Sequence, residues 1–435
     1  MASITVPAAF KRVLRVAAAI EPYELKAVIL SMLYFFFLFG SYSIVRPVRD
    51  AMGTVYGMAR IQELFTATFV ASFLFAPLYA GLASRIRLSV LLPWVYGFIA
   101  LTLIVFYGLL TRGYPERWTA AAFFVWVSTF NLLIISVFWS FMADLFSRRQ
   151  AQRLFGFIAA GGTGGGIAGP ALAKYSAVLI GDNNLILIAA AGFGLTAVLV
   201  RLLAREKQQL LVGGEEIQPT RLDHRLAGSA LDGFRLLLRS RYLLLLALFL
   251  LLMTWISTIV YIQLGDLITH AFTSHEQRTR AYATIDLWVN GIAVLIQLFG
   301  TGRLITRFGV TSGLLLNPAI MVFAFLAIAF APMLLLLGAM QILRRVAEYA
   351  VAKPTREMLF TVIDQESRYK AKNVIDTVIY RFGDLSASWL SSLIHPYGVG
   401  GLALFGAVVS IVWFPVAYLL GKRYEQQRQV ERSGA

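Results

Sequence analysis

The stretch VILSMLYFFFLFGSYSIVRPVRDAMG, residues 28–53, decides the fold class. Val28 to Val45 carry no charge, and Arg46, Arg49 and Asp50 then crowd into five positions. At 1.5 Å rise per residue such an uncharged run crosses most of the ~30 Å of hydrocarbon in a bilayer, so it reads as a membrane-spanning helix. The charges that follow lie either at headgroup level, where arginine snorkels as an anchor, or inside a protein-lined cavity.

The rest of the 435-residue chain follows the same pattern. Hydrophobic residues make up 58% and charged residues 14%, a balance that no ordinary soluble domain shares. Windows of about 19 residues pick out twelve candidate spans between residues 27 and 421, and strict alternation at ten-residue spacing, the mark of a β-barrel, is absent. The fold class expected is an all-α membrane protein, with twelve transmembrane helices in two pseudo-symmetric six-helix bundles.

The organisation expected is an interfacial helix on the cytoplasmic side over 1–26, a first bundle over 27–203, a cytoplasmic linker over 204–240, a second bundle over 241–421 and a cytoplasmic tail over 422–435. Short internal echoes support a duplication. Ser84-Arg85 after the second span matches Thr306-Arg307 after the eighth, and Asp144 after the fourth matches Asp364 after the tenth, at nearly the same offset. The net charge of +16 sits mostly in short loops on one side, which places both termini in the cytoplasm and argues against nucleic acid as a partner. The absence of cysteine excludes thiol chemistry, and the scattered histidines His224, His270, His275 and His395 offer no metal constellation. No cofactor and no catalytic group is expected, nor is an enzyme.

A charge at the bilayer centre costs about 2.5–3.5 kcal/mol on an insertion scale, so ionisable residues inside spans face a cavity or a partner. The first two spans offer Arg46, Arg49, Asp50 and Glu63. The tenth, 334–362, offers Arg344, Arg345, Glu348, Lys353, Arg356 and Glu357, and the eighth and eleventh add Asp286, Asp376, Arg381 and Asp384. At α-helical spacing Arg345, Tyr349, Lys353 and Arg356 share one stripe. The acids can neutralise only part of these cations in any one geometry, which calls for an anionic guest, and the guanidinium fork suits carboxylate or phosphate. The competing reading is structural: Arg344 with Glu348 and Lys353 with Glu357 pin helices together. The substrate-binding set expected is Arg46, Arg49, Lys353, Arg356 and Arg381, with Tyr42 and Trp288 as aromatic partners. Asp50, Glu63, Asp286, Glu348 and Asp384 are the expected coupling or charge-pairing acids.

The fifth span holds GFIAAGGTGGGIAGPALAK. Gly164, Gly166 and Gly169 satisfy G-x-G-x-x-G, but no strand precedes them, so a dinucleotide fold is rejected, and no Gly-Lys-Ser/Thr follows to make a P-loop. Gly161, Gly162, Gly165, Gly166, Gly169 and Pro170 instead allow close helix packing. Loop residues Arg85, Asp144, Arg148, Arg307 and Asp364 form an expected inner-side latch, with topology determination as their competing role.

Two six-helix halves, a cytoplasmic linker and basic loops after the second and eighth spans resemble the major facilitator superfamily. Gly165 to Pro170 resembles the span-five signature of its antiporters in part. YELKAVILSMLYFFFLFGSYSIVRPVRDAMG, and FVWVSTFNLLIISVFWSFMADLFSRRQAQRLFGFIAAGG across spans four and five, resemble the bacterial and plastid ATP/ADP translocases and their bacterial relatives. That resemblance implies secondary transport of an anionic small molecule against a counter-substrate or proton, with Arg46, Arg49 and Asp50 touching the substrate. It departs at Val127-Ser128, where the nucleotide exchangers carry a carboxylate, and at Arg49, where they more often carry lysine. The function expected is an organic-anion transporter, nucleotide or nucleotide-like, working by alternating access as a monomer in a bacterial inner membrane. The alternative is a proton-coupled exporter of amphipathic or peptide-like compounds.

Overall fold

The computed structural model describes residues 20–83, 85–112, 115–211, 230–363, 367, 371–372 and 374–433. The helices are α1 (Leu25–Tyr56), α2 (Ile61–Ala83), α3 (Leu88–Thr111), α4 (Glu116–Leu145), α5 (Arg148–Ile180), α6 (Asp182–Leu211), α7 (Ala230–Arg239), α8 (Arg241–Ala271), α9 (His275–Phe299) and α10 (Thr301–Phe330). They continue with α11 (Leu334–Ala347), a π turn (Glu348–Ala352), α12 (Lys353–Leu359), a second π turn (Val374–Ile379), α13 (Tyr380–Ile394) and α14 (Gly398–Ser433). Among the described residues seven stretches are long and apolar enough to cross a membrane, the last of them running through α13 and α14 together.

Start and stop signals account for several boundaries. Ser147 accepts from the Gln150 backbone N–H while the Gln150 side chain accepts from the Ser147 N–H, a reciprocal cap that opens α5. Ser240 and Ser274 cap α8 and α9 through single bonds. Gly309, at φ +81°, breaks α10 near its start, a conformation that glycine adopts without steric cost.

The chain divides into two compact units. The first comprises the chain up to Arg49 with Ser72–Thr119 and Trp126–Arg225; the second comprises Asp50–Ala71, Ala120–Val125 and Leu226–Ala435. The boundary expected between residues 203 and 241 is therefore incomplete as a description of packing. The C-terminal end of α1, the first half of α2 and one stretch of α4 pack with the later helices, and the division passes between Arg49 and Asp50.

In the first unit, Tyr34, Tyr96, Phe138 and Phe193 are fully buried. The Tyr34 and Tyr96 hydroxyls bond each other at 2.6 Å, and Phe35 stacks on Phe138 at 4.1 Å. In the second, α8 supplies Leu246, Phe249, Leu250 and Ile256 to a core completed by Phe325 and Trp413. Of the expected terminal and linking segments, residues 1–19 and 212–229 lie outside the described residues. Within the rest, α6 and α7 enter the linker from either end, and α14 carries the tail as continuous helix to Ser433.

Candidate functional site

The second unit gathers most of the intramembrane charge. Arg344 and Glu348, one turn apart, pair at 2.9 Å, and both are buried. Arg345, also buried, pairs with Asp286 of α9 and donates to the Tyr349 hydroxyl at 3.4 Å. Arg356 reaches Asp376 in the second π turn at 3.5 Å and Glu357 at 3.1 Å. Arg381 lies 3.7 Å from Asp384, which accepts from the Thr258 hydroxyl at 3.0 Å. A low-dielectric interior demands this arrangement, because a lone buried charge is far costlier than a paired one.

Three readings of the sequence are corrected here. The surplus of cations read from the sequence is largely cancelled, since Arg344, Arg345, Arg356 and Arg381 each have a carboxylate. The Lys353–Glu357 pair is not formed: Glu357 is held by Arg356 and Lys372. Lys353 instead rests its ammonium 4.3 Å above the Tyr349 ring, and among the described residues no carboxylate comes within ion-pair distance of it. The stripe is also divided. Arg345, Tyr349 and Lys353 touch in succession, but the π turn inserts an extra residue into the helix, and Arg356 turns to Asp376.

On α1, Arg46 and Arg49 are half-buried, one turn apart around Pro47, rather than splayed at the surface. Arg49 reaches the Ser128 hydroxyl of α4 at 3.5 Å, within the first unit. Ser128 is, with Val127, one of the two candidates for the position where the resemblance leads one to expect a carboxylate. Asp50, packed in the second unit, accepts from the Tyr261 hydroxyl at 3.3 Å, and Glu63 accepts from Tyr56.

A protein-family description, TLC ATP/ADP transporter, matches residues 111–420. The chain belongs to that family. It is 25% identical to ADP,ATP carrier protein 1 of Chlamydia muridarum, over 93% of this chain and 90% of that one. Its identity to the protein of the same name in Chlamydia trachomatis is 26%, with the same coverage. Its fold is similar to that of a bacterial homologue of the human lysosomal transporter Spinster, solved inward-facing and unoccupied: TM-score 0.64, 13% identity, 94% of this chain and 99% of the other. The TLC chain is thus a multi-pass membrane transporter and not an enzyme.

The remaining expected site residues are dispersed in this TLC transporter. Tyr42 is buried in the first unit with its ring 6.2 Å from Phe39. Trp288 is 56% exposed, off the face of α9 that buries Tyr282, Asp286, Val289 and Ala293. A Cβ at Gly161 would strike the Met32 backbone, one at Gly162 the Phe35 ring and one at Gly165 the Phe36 carbonyl. One at Gly169 would lie 2.6 Å from the Gly40 carbonyl oxygen. Gly166 and Pro170 are buried in the same helix. Of the expected latch, Arg85 and Arg307 are exposed, Asp144 is half-buried, the side chain of Arg148 is not among those described and Asp364 lies outside the described residues. The sequence reading missed Glu24, which is fully buried and accepts from Arg153 at 2.8 Å and Gln150 at 3.1 Å. The Ser147-x-x-Gln150 cap spacing was the available signal for Gln150; nothing in the spacing pointed to Glu24.

Proposed function

We propose that this chain exchanges phosphate-bearing organic anions, nucleotides first among them, across a bacterial inner membrane by alternating access. In this reading the fold is that of the major facilitator superfamily, with twelve spans, both termini cytoplasmic and a monomer as the working unit. Family membership supports nucleotides as the substrate class. The observation that carries the anionic reading is Lys353: its ammonium rests on the Tyr349 ring, and among the described residues no carboxylate lies within ion-pair distance of it, whereas the neighbouring arginines have carboxylates. Arg46 and Arg49 contribute the guanidinium forks that phosphate oxygens fit. Arg356 and Arg381 act through their acids, changing partners as the guest arrives, because a ligand shifts a conformational equilibrium only by engaging its two states unequally.

The test is counter-exchange in proteoliposomes loaded with ADP and given labelled ATP outside, with other organic anions in parallel. Wild type is expected to exchange a phosphorylated anion, and Arg49→Ala to lose about tenfold or more of it, the scale of one charge-assisted hydrogen bond. The reading fails if no organic anion exchanges while a neutral or cationic compound is carried unaffected by Arg49→Ala. A pH gradient that drives efflux of an amphipathic compound, indifferent to nucleotide, would favour the proton-coupled exporter instead.

A further inference from the structure

Pro354 explains why the tenth span is not a regular helix. In an α-helix the carbonyl of Ala350 would accept from the N–H of residue 354, and proline has none; its ring also crowds that carbonyl. The backbone answers with the π turn Glu348–Ala352, closed by the Lys353 N–H donating to the Glu348 carbonyl five residues back. That bond takes from Tyr349 the donor an α-helix would have given its carbonyl. Two acceptors, Tyr349 O and Ala350 O, thereby lose their α-helical partners, and leaving such groups unmet inside a membrane protein is costly.

Both are met by side chains from the α9–α10 corner. Gln297 Nε2 donates to the Tyr349 carbonyl at 3.0 Å, and Thr301 Oγ1 donates to the Ala350 carbonyl at 2.6 Å, with the Ile296 carbonyl a longer alternative at 3.3 Å. Thr301 is buried and Gln297 exposed. The turn they brace lies between the paired Arg344 and Arg345 on one side and Lys353 on the other. Adding or removing the extra residue of a π turn rotates everything after it by roughly 100° about the helix axis, the angle of one α-helical residue.

We propose that Gln297 and Thr301 are positioning residues for Lys353: by supplying the hydrogens that Pro354 denies the helix, they fix the turn that seats the Lys353 ammonium on the Tyr349 ring, facing the anion. This rests on the anion-exchange reading, and its test separates the two. In nucleotide counter-exchange, Thr301→Val, which keeps the shape and loses the hydroxyl, raises KM about tenfold with kcat little changed, and Thr301→Ser restores it. In a Lys353→Ala background Thr301→Val adds nothing further, because it acts through the lysine. A wild type that exchanges no anion defeats the functional reading. A wild type that exchanges but whose KM ignores Thr301→Val, or shows the same rise with and without Lys353, defeats the positioning role alone. Hydrogen–deuterium exchange over residues 345–360 needs no substrate: Gln297→Ala with Thr301→Val should speed it at least tenfold, and unchanged protection overturns the proposal.

Discussion

Each unit contains a seam, and the two seams are made by opposite means. In the first, α1 and α5 approach because side chains are missing: Gly161, Gly165 and Gly169 let backbone lie against the backbone of Met32, Phe36 and Gly40. In the second, α9 is joined to α11 by Asp286 with Arg345, and α12 to the second π turn by Arg356 with Asp376. One seam tolerates no addition and the other tolerates no subtraction. In lipid neither gains much from the hydrophobic effect, so close packing and polar pairing are the two means available.

That contrast can be broken experimentally, beginning where the effect is largest. Arg345→Ala removes the buried cation paired with Asp286 and should destabilise the protein by about 3–5 kcal/mol, read as a fall in unfolding temperature in detergent. The double change Arg345→Met with Asp286→Leu should recover most of the loss; no recovery would mean that the pair is required for more than neutrality. Gly165→Val, in the other seam, should cost about 1–3 kcal/mol by overpacking against Phe36, and a neutral result would show that α1 and α5 separate easily. Tyr261→Phe, which removes one hydrogen bond to Asp50, should cost about 0.5–1.5 kcal/mol. Arg307→Ala, at an exposed position, should stay within about 0.5 kcal/mol, and a larger loss there would favour the latch expected from the sequence.

The apolar runs were legible because hydrocarbon thickness sets their length, and helices overlie them from Leu25 onward. The glycine seam was legible too, since small residues four apart on an apolar helix have few other uses. The charges of the tenth span were found but misarranged. Counting acids and bases along the chain cannot tell that Asp286 and Asp376, from other helices, complete Arg345 and Arg356. A uniform α-helical period also hid the phase change that Pro354 forces, although the proline stood in plain view. Trp288 was chosen for its chemistry, and the structure adds that it lies off the buried face of α9. Glu24 escaped because its partners, Gln150 and Arg153, lie more than a hundred residues away.

Proline's missing hydrogen is a covalent fact, so no rearrangement of neighbours can give Ala350 back its usual donor. The irregularity in this span is permanent, and only the substitute is open to variation: a hydroxyl at 301 here, a water or another amide in a chain built otherwise. Exchanging residue 301 therefore offers a way to retune the lie of a distant ammonium group without touching any residue that bears charge.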